Sequence, residues 1–329
     1  MLIAQGVFRS GTTVLFRALR QDEERCCYYE PLHPDLLDHV QEARTTTPSH
    51  AKSPLYAEFT PLLDPIATVF SPAFALNNAV LDSEDNAPAM SRYLHLLAEA
   101  PSSAVLQMNR GFWMSAWLRQ QFPSTAFLHL VRDPRSVVWS QMATQSGGRV
   151  RMNWPLLRRR FFNFSSGDLS NVFSPRAYCG AYHVKEYCEI GRQELGRSSH
   201  DVAMWAQARL CATRESLPFV QALALWGAQA WVCHQQAQAA FGDRYCLIRY
   251  EDLCAAPEHT LSRVYHQFFD HPPPDSVLAY SRDHVHANRI AGWRQVDMAE
   301  KRFRQGLHEA GLEQVLEAFG YPVAANNEG

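Results

Sequence analysis

A central parallel sheet flanked by helices, a three-layer α/β arrangement, is expected from three features of this sequence. Short apolar runs at 2–8, 26–29, 104–107, 126–131 and 244–249 each lead into a turn or a helical pattern, the order of elements found when side-by-side strands are covered by helices. The first run passes directly into a glycine-spaced turn, Gly6-Val7-Phe8-Arg9-Ser10-Gly11-Thr12-Thr13. The chain has 329 residues, 47% apolar and 19% charged, which is ample for a substantial core.

The first strand and its turn set the chemistry. Glycines at positions 6 and 11 have the spacing of a Walker phosphate loop, and Thr12 to Leu19 can begin a helix. Backbone N–H groups and a helix N-terminus then converge on an anion. A Walker loop uses its lysine on the β- and γ-phosphates and its Ser/Thr on Mg²⁺. Here Thr12 stands where that lysine belongs, and Arg9 is the loop's own cation. The cradle suits a phosphate group but departs from the pattern for ATP.

The second strand, at 26–29, delivers Glu30 of Tyr28-Tyr29-Glu30-Pro31-Leu32-His33 to the same sheet edge. A proton-accepting side chain at that edge could serve as a general base. Glu30 is the first candidate, with a surface carboxylate or a pair with Arg9 as its structural alternatives. His33 is the second, because an imidazole titrates near neutral pH. After the third strand comes Arg110, a candidate anion contact, or else an exposed arginine at a helix start.

The fourth strand ends in Val131-Arg132-Asp133-Pro134-Arg135-Ser136-Val137-Val138-Trp139-Ser140. Pro134 suits a first helical turn and Asp133 a cap. Arg132 leaves the carboxyl end of the strand and Ser140 follows two helical turns on, so both can face one anion above the sheet. The fifth strand runs into Arg249-Tyr250-Glu251-Asp252-Leu253, where Arg249 and Glu251 are expected to tie sheet to helix. Between the fourth and fifth strands, Ser199 to about Ala240 reads as long helix interrupted near Pro218, with Trp205, Leu210, Trp226 and Trp231 facing inward.

One domain, 1–329, is the simplest organisation, with two excursions from the sheet. Residues 40–90 carry Pro48, Pro54, Pro61, Pro65 and Pro72; residues 145–198 carry Gly147-Gly148, the run Arg158-Arg159-Arg160 and Phe161, Phe162, Phe164 and Phe173. Variable loops on a fixed scaffold carry specificity, so both are expected to build the acceptor site, although the basic run also reads as an amphipathic helix with its phenylalanines inward. Ala324 to Gly329 is expected to be a disordered tail. A formal charge of −2 argues against a broad nucleic-acid surface, and no apolar stretch is long enough to span a bilayer. No charged leader with an apolar segment precedes the first strand, so a cytoplasmic protein is expected. The eight cysteines form no CxxC pair and read as reduced. Cys179, His183 and Cys188 lack a fourth ligand at zinc spacing, and no metal is expected.

Taken together, Arg9 to Thr13 and Arg132 with Ser140 are similar to the sulfotransferases that use 3′-phosphoadenosine 5′-phosphosulfate (PAPS), in which these two motifs hold the 5′-phosphosulfate and the 3′-phosphate. The Tyr28 to His33 segment resembles the Glu-Pro-Leu segment of their bacterial, carbohydrate-sulfotransferase-like branch, where the glutamate is the base. The resemblance implies a P-loop-like fold and PAPS as sulfuryl donor without a metal. It assigns Arg9, Ser10, Gly11, Thr12, Thr13, Arg132 and Ser140 to the nucleotide, Glu30 and Arg9 to catalysis, and Arg110 to the acceptor; His33 joins catalysis as the second base and the acceptor as a further contact on its imidazole chemistry alone. Trp293 and Arg294, in Arg289-Ile290-Ala291-Gly292-Trp293-Arg294, match in part a glycine-rich loop that closes over the nucleotide, and also read as a packed aromatic and a surface charge. The acceptor would be a hydroxyl, or an amine, of a small molecule, glycan or lipid. Two other readings are a P-loop kinase acting on a nucleotide or small metabolite and a nucleotide-binding module without turnover; the first requires the lysine that Thr12 replaces.

Overall fold

The computed structural model describes residues 1–45, 54–99, 103–142, 172–173, 184–198, 200–286, 292–295 and 298–323. Five strands, β1 (Leu2–Gly6), β2 (Arg25–Tyr29), β3 (Ser103–Met108), β4 (Ala126–Val131) and β5 (Tyr245–Arg249), fall within a residue or two of the expected runs. They form one sheet in the order β2-β3-β1-β4-β5, and every neighbouring pair is parallel.

The strands read as near-continuous apolar runs because both faces of the sheet are covered. Their side chains alternate between two cores with a period of two. Leu2, Ala4, Cys27, Tyr29, Val105, Leu128, Leu130, Cys246 and Ile248 pack with Leu15, Phe16 and Leu19 of helix α1 (Thr12–Leu19) and with Leu261, Val264 and Tyr265. Ile3, Tyr28, Leu106 and Phe127 pack on the other face with Tyr93, Leu94, Leu97, Trp117, Cys233 and Ala237. The expected three layers are present.

The long helical segment is two helices, Asp201–Ala212 and Pro218–Phe241, and Pro218 occupies the first turn of the second, where its missing N–H removes no helical bond. Leu210 and Trp226 are fully buried, and Trp205 and Trp231 are partly buried against the same core. In the first excursion, helix α2 (Leu36–Thr45) is followed by short helices at Leu63–Val69 and Phe74–Asn77. In the second, Phe173 packs edge-on against Phe219 and Phe303, and a helix covers Val184–Glu194. Arg158 to Arg160, Phe161, Phe162, Phe164, Cys179, His183 and the 324–329 tail lie outside the described residues.

Candidate active site

In this strand order β1 is flanked by β3 and β4, while the chain leaves β1 toward β2 at one edge. Such a reversal opens a crevice at the carboxyl ends of the strands. A cleft of about 610 Å³ lies there, lined by Phe8, Arg9, Gly11, Thr12, Thr13, Val14, Tyr29, Glu30, Asn109, Arg132, Ser140 and Tyr250.

The phosphate loop is tightly wound. Ser10 donates both its N–H and its hydroxyl to the Val7 carbonyl, at 3.0 and 2.6 Å. Gly11 has φ 99°, and a Cβ built on it would stand 2.2 Å from the Tyr250 ring, so the position requires glycine for conformation and for space. The N–H groups of Val14 and Leu15 already bond the Gly11 carbonyl. Those of Thr12 and Thr13 open α1 and have no acceptor four residues back within the helix, the arrangement that receives an anion.

The two anion motifs meet directly. Arg9 Nε donates to Ser140 Oγ at 2.9 Å, and Arg132 Nη1 donates to the Arg9 carbonyl at 3.0 Å. Arg132 also lies over the Tyr250 ring, 4.6 Å from its centre. Asp133 caps the following helix through the Arg135 N–H at 2.8 Å and pairs with the Arg135 side chain. Glu251 accepts from the Asp133 N–H and the Tyr321 hydroxyl, and Arg249 bonds Asp252 and the Gly320 carbonyl. Arg249 and Glu251 therefore have the structural part expected of them.

Glu30 lies across the cleft and is buried. Asn109 Nδ2 donates to one carboxylate oxygen at 2.7 Å, and Arg110 Nη1 to the other at 2.6 Å. Its partner is thus Arg110 rather than Arg9. Arg110 is 5% exposed and sits 4.8 Å from the centre of the Phe8 ring; the alternative of an exposed arginine at a helix start is corrected, because pairing with a buried carboxylate draws the guanidinium in. Arg9 and Glu30 both have left-handed backbones, φ 72° and 42°. For residues of these types that conformation carries strain, which concentrates at functional sites.

His33 is close by, but its Nδ1 accepts the Asp35 N–H at 3.1 Å. Burial, reinforced by the Arg110 charge, lowers its pKa to about 4. The ring is neutral at pH 7, and with Nδ1 an acceptor its proton resides on Nε2. The same bond bears on a metal: possible ligand atoms of His33, Asp35 and His39 lie within 4.8 Å of one another, yet neither ring nitrogen of His33 offers an unused lone pair. Trp293 and Arg294 stand apart from the cleft lining. Trp293 is 1% exposed, donates to Ser136 Oγ at 3.2 Å and packs on Phe303, whereas Arg294 is exposed with its guanidinium 5.5 Å from the Trp293 ring centre.

Sequence reasoning missed Asn109, Tyr29 and Tyr250 as cleft residues. The alternation along β2 contained a signal for Tyr29, since the residue before Glu30 must share a face with α1. Asn109 and Tyr250 had none, because their places depend on which strands become neighbours.

Residues 2–161 match the model of the sulfotransferase family. This segment belongs to that family. The solved structures similar to this chain include three sulfotransferases. The sulfotransferase domain of the olefin synthase from Synechococcus PCC 7002 is 15% identical, with 98% of this chain and 94% of that one covered at a TM-score of 0.47. The sulfotransferase domain from the curacin biosynthetic pathway is 14% identical, with 94% and 97% covered and a TM-score of 0.43. The sulfotransferase STF9 from Mycobacterium avium is 14% identical, with 98% and 77% covered and a TM-score of 0.43. Among curated proteins no sequence matches. No helix among the described residues is long and apolar enough to cross a membrane.

Proposed function

We propose that the cleft transfers a sulfuryl group from PAPS to a hydroxyl, or an amine, of a small-molecule, glycan or lipid acceptor. The junction of the two anion motifs carries this reading: Arg9 touches Ser140 and Arg132 touches Arg9, beside Glu30, in one cleft. A donor phosphorylated on its ribose as well as at its 5′ end needs two such seats at one rim. ATP would need only the first, with the lysine that Thr12 replaces.

In this reading the Thr12 and Thr13 amides and hydroxyls hold the 5′-phosphate, and Arg132 and Ser140 hold the 3′-phosphate. The acceptor oxygen attacks sulfur, the bond from sulfur to the bridging oxygen breaks, and its electron pair leaves with adenosine 3′,5′-bisphosphate. Arg9 neutralises the charge growing on that bridging oxygen. The acceptor proton passes to Glu30. Each Glu30 oxygen accepts one bond from the protein, and a carboxylate offers about four lone-pair sites, so the base retains capacity for it. His33 has no spare lone pair, which favours Glu30 over the imidazole. A sulfuryl group carries less charge than a γ-phosphoryl group, and in this reading the arginines meet it without a metal ion.

Calorimetric titration with adenosine 3′,5′-bisphosphate, adenosine 5′-monophosphate and ATP tests the donor. The bisphosphate is expected to bind most tightly. Arg132→Ala should weaken it by about 10- to 100-fold, the value of hydrogen bonds to a charged group, while leaving the monophosphate nearly unchanged. Preference for ATP, or equal loss for both adenosine ligands, would overturn the assignment.

A further inference from the structure

The Tyr29 hydroxyl stands 2.8 Å from Thr13 Oγ1, and Tyr29 is the residue that joins the phosphate loop to the Glu30 strand. Alternation along β2 turns it toward α1, where its ring is held between Phe16, 4.9 Å away, and Tyr56, 5.5 Å away. It is 8% exposed and lines the cleft. Its place is therefore fixed from both sides, and its hydroxyl reaches one loop side chain.

We infer that Tyr29 is a positioning residue for the donor, acting through Thr13; this rests on the proposal that the loop binds the 5′-phosphate of PAPS. A threonine hydroxyl has one proton and two lone pairs. In the empty loop either oxygen of the Tyr29–Thr13 pair can donate. An anion on the loop offers only lone pairs, so the Thr13 proton is committed to it, and the hydrogen bond between the two side chains must then run from the phenol to Thr13. Tyr29 thereby holds the threonine rotor with its proton toward the anion. Burial, with the Glu30 charge and a hydrogen bond to Glu30 adding to it, pushes the phenol pKa up, so Tyr29 keeps its proton, with Thr13 and Glu30 the two acceptors within its reach. The relay also fixes the separation of the donor seat from Glu30, because Tyr29 and Glu30 are consecutive in the chain.

The test is a double-mutant cycle read by adenosine 3′,5′-bisphosphate affinity, donor KM and kcat, and melting temperature. Tyr29→Phe keeps the ring in place but removes a bond already made in the empty loop, so melting should fall only by about 2 °C while affinity falls about three- to tenfold. Thr13→Val should cost at least as much, and the double variant no more than Thr13→Val alone, because the second change removes a bond already lost. Thr13→Ser keeps a hydroxyl, so adding Tyr29→Phe to it should still weaken binding. Unchanged affinity in Tyr29→Phe, effects that add in the double variant, or a loss that follows only melting temperature would overturn the relay while leaving the donor assignment standing. Failure of the unmodified chain to bind the bisphosphate would overturn the donor assignment and the relay with it.

Discussion

The two ends of the sheet each carry a concavity of similar size, and their walls are built differently. At the carboxyl ends lies the cleft of about 610 Å³; at the amino end of β2 lies one of about 560 Å³, lined by Gln21, Asp22, Glu23, Glu24, His271, Pro274 and Ser276. The amino-end hollow is acidic and its buried charge is satisfied by immediate neighbours: Asp22 accepts from Arg25, Tyr265 and the Glu24 N–H. Its neighbouring left-handed residue is Asp270, φ 57°, a residue type that adopts this conformation readily. At the carboxyl end the left-handed residues are an arginine and a glutamate, the charges follow different strands, and the residues that open α1, Thr12 and Thr13, line the cleft. Volume therefore does not separate the two ends. Charge assembled from separate strands, on backbone that the residue types disfavour, does.

If this contrast is right, the largest effect comes from filling the anion seat. Gly11→Ala puts a methyl group into the Tyr250 ring at a φ of 99°, combining backbone strain with overpacking, about 1–3 kcal/mol each. Bisphosphate binding should be abolished in calorimetry and the melting temperature should fall. Near-normal binding would mean that the loop does not hold the nucleotide.

Glu30→Gln comes next and separates the two duties of the carboxylate. Turnover should fall by about 10²–10⁴-fold, the span of general-base catalysis. Stability should also fall, because the buried Arg110 loses its counter-charge, a change that costs about 3–5 kcal/mol when a buried pair is broken on one side. Adding Arg110→Gln removes the stranded charge, so the double variant should regain melting temperature without regaining turnover. Restored turnover in that variant would reduce Glu30 to a structural partner.

This pairing also marks where the sequence stopped being legible. The strands were readable because a sheet covered on both faces demands continuous apolar runs, and the phosphate loop and the Arg132–Ser140 element because each carries its chemistry within a dozen residues. The place of Glu30 at the carboxyl edge of the sheet was readable from its segment alone. Its bond to Arg110 was not, since it exists only because β2 and β3 became neighbours, 80 residues apart in the chain. The same holds for Asn109, and for Tyr250 against Gly11. His33 illustrates a further limit: an imidazole beside a base candidate reads as a second base until the Asp35 N–H is found on its Nδ1. Trp293, matched in part to a nucleotide-covering loop and equally readable as a packed aromatic, is buried on Phe303 and bonded to Ser136, because a large aromatic gains most from burial wherever the fold offers it.

The smallest expected effect tests the contrast from its other side. Glu23 and Glu24 are exposed in the amino-end hollow, and Glu23→Gln with Glu24→Gln removes two negative charges from it. The five residues of β2 span about 16 Å, longer than the screening length of about 10 Å at 0.1 M salt, so the field of these carboxylates at the loop is largely screened. Surface changes of this kind stay within about 0.5 kcal/mol. Melting temperature, bisphosphate affinity and turnover should all remain at the level of the unmodified chain at that salt, with a slight gain in affinity at low salt as two distant negative charges disappear. A tenfold fall in turnover would place function in the acidic hollow and remove the distinction between the two ends.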